Sequence, residues 1–211
     1  MDSRNLRLEW SDLSLWRGDR CLQSKLSGSL TSGQALTLRG PNGCGKTTLL
    51  RSLCGLSLPE TGEIRWQGEL LSRVRTDYYA HMAYSGHSNG LKSDLNTREN
   101  LSFAARLRSR ERDQTELLLG LNLQECADIP IRSLSAGQRR RASLALVLAS
   151  GAELWVLDEP FTNLDRAGCE WLGQRLNTHI NTGGLLLIAA HQASLLDPGN
   201  ETLLELSGIA A

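Results

Sequence analysis

Apolar and polar residues partly alternate from Leu6 through Leu8 and Trp10 to Trp16, and again from Leu22 to Leu30, ahead of a Thr31-Ser32-Gly33 turn. A period near two suits a strand with one face buried, so both segments are predicted to be antiparallel strands. Ala35-Leu36-Thr37-Leu38 follows as a short apolar-rich run fit for a buried strand. Thr47 to Leu53 then carries apolar residues at helical spacing and ends at Gly55. After the turn Pro59-Glu60-Thr61-Gly62, the segment Glu63 to Gly68 is predicted to be a short strand that completes an antiparallel layer. A further strand is expected near His81-Met82-Ala83-Tyr84, closing on a polar stretch at 85–90.

Asn96 can cap a helix with Glu99 three residues on, and Leu101, Ala104 and Leu107 or Arg108 continue its face. Residues 96 to about 134 read as a helical insertion, in which the charged run Arg106 to Glu116 is a solvated face and connection. Leu134-Ser135-Ala136-Gly137-Gln138 opens another helix, with Ala142, Ala145, Leu146 and Ala149 on its period. Leu154 to Leu157 and Leu185 to Ala190 are continuous apolar runs, as parallel strands buried on both faces require, and Glu201 to Leu206 offers a final strand. The class is therefore α/β. In such sheets ligands bind beyond the carboxyl ends of the strands. Here those ends deliver a glycine loop, the pair Asp158-Glu159 and His191 to one edge.

Composition narrows the function classes. A chain of 211 residues supports one sizeable core, so residues 1–211 are expected to form a single domain. Net charge is +0, and Lys and Arg are scattered apart from Arg139-Arg140-Arg141, so no nucleic-acid partner is expected. The longest apolar runs fall far short of the ~20 residues that span a bilayer. The polar start Met1-Asp2-Ser3-Arg4-Asn5 does not resemble a secretory signal, which gives a cytoplasmic expectation. Five cysteines without a C-x-x-C pair are expected to be reduced thiols. Cys44 alone lies in the glycine loop, where a helix end could lower its pKa.

That loop is Gly40-Pro41-Asn42-Gly43-Cys44-Gly45-Lys46-Thr47-Thr48, set between a predicted strand and a predicted helix. Strand, G-x-x-x-x-G-K-T and helix in that order form a phosphate cradle. Its glycines let successive N–H groups converge on a phosphate, and the helix N-terminus adds partial positive charge. Lys46 is expected to reach the β- and γ-phosphates, with the Thr47 hydroxyl on Mg²⁺. Asp158, ending a buried strand, is the natural second Mg²⁺ partner, and Glu159 the candidate general base. His191 could hydrogen-bond the γ-phosphate or orient the water, or it could be structural. Trp16 is read either as a flat face for the nucleotide base or as a rim residue of the sheet. Ser135, Gly137 and Gln138 at a second helix N-terminus make a second phosphate-binding device. One chain needs one cradle, so the second device points to a nucleotide held by another copy, head to tail.

Taken together, Gly40 to Thr48, Leu134 to Gln138, Leu154 to Glu159, Asn163-Leu164-Asp165 and His191 resemble the Walker A, signature, Walker B, D-loop and switch-histidine motifs of ABC-transporter ATPases. The resemblance covers essentially the whole chain, and the LSxGQ string is the specific part. It implies a P-loop NTPase fold with an antiparallel β layer and an α-helical subdomain, ATP and Mg²⁺ as ligands, a D-loop role for Asp165, and a dimer closed by ATP that drives a membrane partner. Gly62 to Gly68, Gly86-His87 with Gly90-Leu91-Lys92, Glu99-Asn100-Leu101, the Leu134 to Arg141 run, Leu157 to Thr162 and Ala190-His191-Gln192 further resemble the ATP-binding subunit of bacterial haem exporters of cytochrome c maturation. That likeness implies an integral-membrane permease and cytochrome c maturation proteins as partners, on the cytoplasmic face of the inner membrane.

Two departures stand out. Where the family has a glutamine that touches Mg²⁺ and the attacking water, this chain has Ser88, whose shorter hydroxyl needs a bridging water or a shifted loop to reach the metal. Tryptophan rather than tyrosine stands at the base-stacking position, a mild change because both present a π-face. Ser88 keeps open a second function, an ATP-binding assembly module with slow hydrolysis that controls release of a partner. Another ABC exporter is a further alternative.

Overall fold

The computed structural model describes residues 5–86, 90–107, 114–190 and 195–207. Strands β1 (Arg7–Arg17) and β2 (Arg20–Thr31) form a hairpin, and β3 (Ala35–Arg39) leads through the glycine loop into α1 (Lys46–Leu53). Then come β4 (Thr61–Trp66), β5 (Glu69–Leu70), α2 (Arg75–His81) and β6 (Met82–Ser85). The helical segment holds α3 (Thr97–Leu107) and α4 (Gln114–Gly120), with 3₁₀ turns at Gln124–Cys126 and Ile131–Ser133. The rest is α5 (Ala136–Ala149), β7 (Leu154–Asp158), α6 (Arg166–Asn181), β8 (Leu185–Ala189) and β9 (Glu201–Glu205).

Two sheets result: an antiparallel one in the order β2-β1-β4-β5, and a parallel one in the order β6-β7-β8-β3-β9. Strand β1 changes phase partway. Leu8 and Trp10 are buried on even numbers, Leu13 and Leu15 on odd ones. The shift falls at Asp12, whose φ of 51° and broken register mark a bulge that keeps all four side chains on the core face.

Every residue of β7 and β8 is buried, as their unbroken apolar sequence requires. Alternate residues enter two cores. Val156, Leu185 and Leu187 pack with α1 and the antiparallel sheet, whereas Trp155, Leu157, Leu186 and Ile188 pack with α5 and α6. Truncating one such leucine, Leu187→Ala, costs about 2–5 kcal/mol. The parallel register aligns Leu38 and Asp158 with Ala189, so the C-terminal ends of β3, β7 and β8 lie together.

Within 96–134 the described residues hold α3, α4 and the two 3₁₀ turns. The expected insertion begins as foreseen, with Asn96 Oδ1 accepting from the Glu99 N–H at 2.9 Å and Glu99 Oε2 accepting from the Asn96 N–H at 2.8 Å. It ends in 3₁₀ turns around the buried Ile131. The described ends of the charged run are exposed at Arg106 and Glu116. His81 closes α2 instead of opening a strand. Helix α6, absent from the elements expected from the sequence, lays Leu172, Leu176 and Ile180 on the sheet. Among the described residues no helix is long and apolar enough to cross a membrane.

Candidate functional site

The chain from β3 to α1 bends where only glycine is relaxed. Gly40, Gly43 and Gly45 have φ of 141°, 80° and 111°. A Cβ on Gly40 would lie 2.2 Å from the Leu206 carbonyl oxygen, so this residue is glycine for space as well as for φ. Gly45 is the N-cap of α1, which aims the first-turn N–H groups into the loop. Lys46 is buried, and its ammonium donates to the carbonyls of Gly40 at 2.7 Å and Pro41 at 3.2 Å. An ammonium carries three donors, which leaves one for an anion above the loop. From behind, Gln23 of β2 donates its amide to the Cys44 carbonyl at 2.9 Å and to the Ser207 carbonyl at 2.9 Å. The loop is thus braced against both the antiparallel layer and the C-terminal strand.

Asp158 is 1% exposed at the end of β7. Its Oδ2 accepts a hydrogen bond from Thr47 Oγ1 at 2.9 Å. Two hard oxygen donors meet there. Among the described residues no group of three His, Cys, Asp or Glu side chains could hold a metal. The Thr47 hydroxyl and the Asp158 carboxylate are hard oxygens of the kind Mg²⁺ takes, one or two from protein and the rest from phosphate and water. Glu159 follows in the left-handed region at φ 53°, with its N–H donated to Ala189 O at 2.8 Å. A positive φ is uncommon for a residue with a side chain. The turn carries Glu159 out of the sheet into a cleft of about 610 Å³, which Asn42, Lys46, Thr47 and Thr48 also line.

Beside this acid pair, burial and the Asp158 carboxylate raise the Tyr84 phenol to about 12. Burial pushes the thiols of Cys54, Cys126 and Cys169 up as well, and all five cysteines are free. Cys44 is buried against the loop's inner side, with its N–H donated to Pro41 O at 3.3 Å.

Helix α5 opens with a capping box, in which Ser135 Oγ accepts from the Gln138 N–H at 3.2 Å and Gln138 Oε1 accepts from the Ser135 N–H at 2.8 Å. Both side chains are exposed or half-buried yet serve their own helix. Gly137 is different. A Cβ there would meet only ordinary contacts, at 3.6 Å and beyond.

The structure brings together the loop, Thr47, Asp158 and Glu159. Asp165 lies elsewhere: its Oδ1 caps α6 by accepting from the Gly168 N–H at 2.7 Å, and it borders a separate cavity of about 180 Å³. Trp16 is 45% exposed near the end of β1, and its neighbour Arg17 is the residue that lines the main cleft. Ser88 and His191 lie outside the described residues. Arg17, Gln23, Arg139 and Arg140 were not singled out from the sequence. In the sequence the Arg139-Arg140-Arg141 run is a charge cluster and part of the family-like Leu134 to Arg141 stretch, with no site role of its own.

Residues 23–162 match the ABC transporter family model. The cytochrome c biogenesis ATP-binding export protein CcmA of Methylococcus capsulatus is 43% identical over 180 residues, covering 84% of this chain and 87% of that protein. The protein of the same name from Escherichia coli K12 is 43% identical over 188 residues, 88% of this chain and 89% of its own length. A solved ATP-binding subunit of an ABC transporter superposes with a TM-score of 0.77 at 25% identity, covering 87% of this chain and 79% of that one. A dimeric ATP-binding cassette bound to ADP and phosphate superposes with a TM-score of 0.80 at 19% identity, covering 94% of each chain, and supports the fold alone. Cradle, acid pair, family match and relatives agree that the chain belongs to the ABC transporter ATP-binding family, with CcmA-like sequence over most of its length.

Proposed function

We propose that the protein is the ATP-binding and ATP-hydrolysing subunit of a membrane ABC transporter complex that serves haem export and cytochrome c biogenesis. On this reading residues 1–211 form one ATP-binding domain, with the helical subdomain at about 96–134. The observation that carries the hydrolytic reading is the 2.9 Å contact between Thr47 and Asp158 beside the phosphate loop, with Glu159 lining the same cleft.

ATP would lay its β- and γ-phosphates on the loop, against the N–H groups of α1 and the remaining donor of Lys46. Mg²⁺ held by Thr47 and Asp158 would offset phosphate charge there. Glu159 accepts a proton from a water as the water oxygen bonds to the γ-phosphorus. The bond from that phosphorus to the bridging oxygen breaks, and ADP and phosphate leave. Ser88 and His191 are proposed to orient that water or contact the γ-phosphate. Trp16 is proposed to stack on the base beside Arg17.

The N-terminus of α5 is proposed to engage a nucleotide held by a second copy. Gly137 supports this, because no contact within its own chain requires a bare backbone. Asn163-Leu164-Asp165 would border that shared site. The membrane partner is proposed to be an integral permease, with this subunit peripheral on the cytoplasmic face of the inner membrane. The CcmA-named relatives support the haem and cytochrome c assignment.

Affinity purification of the chain from detergent-solubilised membranes tests the partner assignment. Recovery with a multi-spanning membrane protein, cytochrome c maturation factors and a haem absorbance band is the expected result. Recovery with an unrelated permease and no haem would contradict the haem role and leave the ATPase reading standing.

A further inference from the structure

Arg139, Arg140 and Arg141 are consecutive at the start of α5, yet they leave the helix in three directions, as successive helical residues about 100° apart must. Arg139 curls back to donate to the Leu134 carbonyl at 2.5 Å. Arg141 reaches across to the Asn163 carbonyl at 3.1 Å. Arg140 turns inward, and its two Nη groups donate to the carbonyls of Gly86 and Asp158. The run is thus not a basic surface patch.

The acceptors of Arg140 are informative. Asp158 ends β7, and Gly86 directly follows β6, the strand beside it. One planar guanidinium therefore ties two neighbouring strand ends to a helix. One turn along the same face, Ser143 Oγ lies 3.2 Å from Ser85 Oγ, and both side chains are buried. Helix α5 grips the end of β6 at two successive points. Arg140 also lines the main cleft together with Lys46, Thr47 and Glu159.

We infer that Arg140 is a positioning residue that couples the N-terminus of α5 to the acid pair, so that engagement of α5 by the second copy's nucleotide sets Asp158 and Glu159 in the chain's own site. This inference rests on the proposed head-to-tail dimer. The mechanical path is short. Ser135 to Gln138 form the first turn of α5, Arg140 follows within the next, and its far end holds the main-chain carbonyl that precedes Glu159. A displacement of the helix start is passed to the peptide that aims Glu159. Lysine keeps the charge but offers one ammonium in place of a planar fork with two separate nitrogens, and glutamine keeps hydrogen-bond donors but no charge.

The test compares wild type, Arg140→Lys and Arg140→Gln in the purified membrane complex, with steady-state ATPase, its Hill coefficient for ATP, affinity for a fluorescent ATP analogue, and thermal midpoint. Coupling free energies of this kind correspond to roughly 5–150-fold. The expected result is a fall in kcat within that range and a Hill coefficient moved toward one in Arg140→Gln. Arg140→Lys should be only partly restored, and in both variants the two lost carbonyl contacts lower the thermal midpoint somewhat while nucleotide affinity falls far less than kcat. If Arg140→Gln keeps the kcat and Hill coefficient of wild type, the coupling role is overturned and the ATPase reading stands. Equal losses of affinity, thermal midpoint and kcat would show a merely structural role and overturn it too. A wild-type complex that releases no phosphate would overturn the proposed function itself, and the coupling with it.

Discussion

Thr47 Oγ1 donates to Asp158 Oδ2 at 2.9 Å although 111 residues separate the two in the chain. The contact joins the first turn of α1 to the end of a strand two positions away in the sheet. Asp158→Asn keeps the shape of that end but removes its charge. It is expected to weaken ATP-analogue binding about 10–150-fold in Mg²⁺, the size of a lost charge-assisted contact of about 1.5–3 kcal/mol. In EDTA the two proteins should bind alike. Fluorescence titration in both buffers checks this, and an equal loss in each would contradict a metal role.

Lys46 should behave differently because its partner is phosphate itself. Lys46→Ala is expected to weaken nucleotide binding by a similar ~1.5–3 kcal/mol in Mg²⁺ and EDTA alike. Equilibrium binding of the analogue reads it directly. Unchanged affinity would show that the ammonium stays with the Gly40 and Pro41 carbonyls and serves only the loop.

Ser135 separates stability from function. Ser135→Ala removes the cap of α5 and leaves the N–H of Gln138 without its side-chain acceptor, at a cost of about 0.5–2 kcal/mol. Urea denaturation should show this loss. On the dimer reading ATPase falls beyond what the lost stability explains, whereas analogue binding to the isolated chain holds.

The Tyr84 phenol gives a pH dependence. Its pKa is raised to about 12, above the ~10 of an unfolded chain, chiefly by burial and then by Asp158. The unfolded phenol therefore loses its proton first as pH rises. The stability it contributes is complete below pH ~10 and is lost as pH climbs through about 12. Tyr78 is raised in the same direction, so the alkaline limb persists in part. Tyr84→Phe should flatten the fall in thermal midpoint between pH 9 and 11, and an unaltered slope would contradict this.

Much of the site was legible because it is local. Strand, glycine loop, lysine and threonine are consecutive, and the acid pair announces itself by ending an unbroken apolar strand. Helix α6 was harder to see, because its stripe is one row of leucine and isoleucine interrupted by Gly168 and Gly173, and glycine lowers helix propensity. Helix α2 buries only Tyr78, so no periodic face exists to be read. Which of Trp16 and Arg17 faces the cleft could not be read from alternation, since the register shifts between Leu15 and Trp16. Gln23 and Arg140 were invisible for another reason. Their partners are main-chain carbonyls from remote segments, and such acceptors leave no trace in residue type.

The most direct test of the account is phosphate release from Mg-ATP by the purified membrane complex, wild type against Glu159→Gln. Turnover of Glu159→Gln is expected to fall by ~10²–10⁴ while ATP remains bound and holds two copies together. Hydrolysis by Glu159→Gln at the wild-type rate would contradict the assignment of the base and the mechanism built on it.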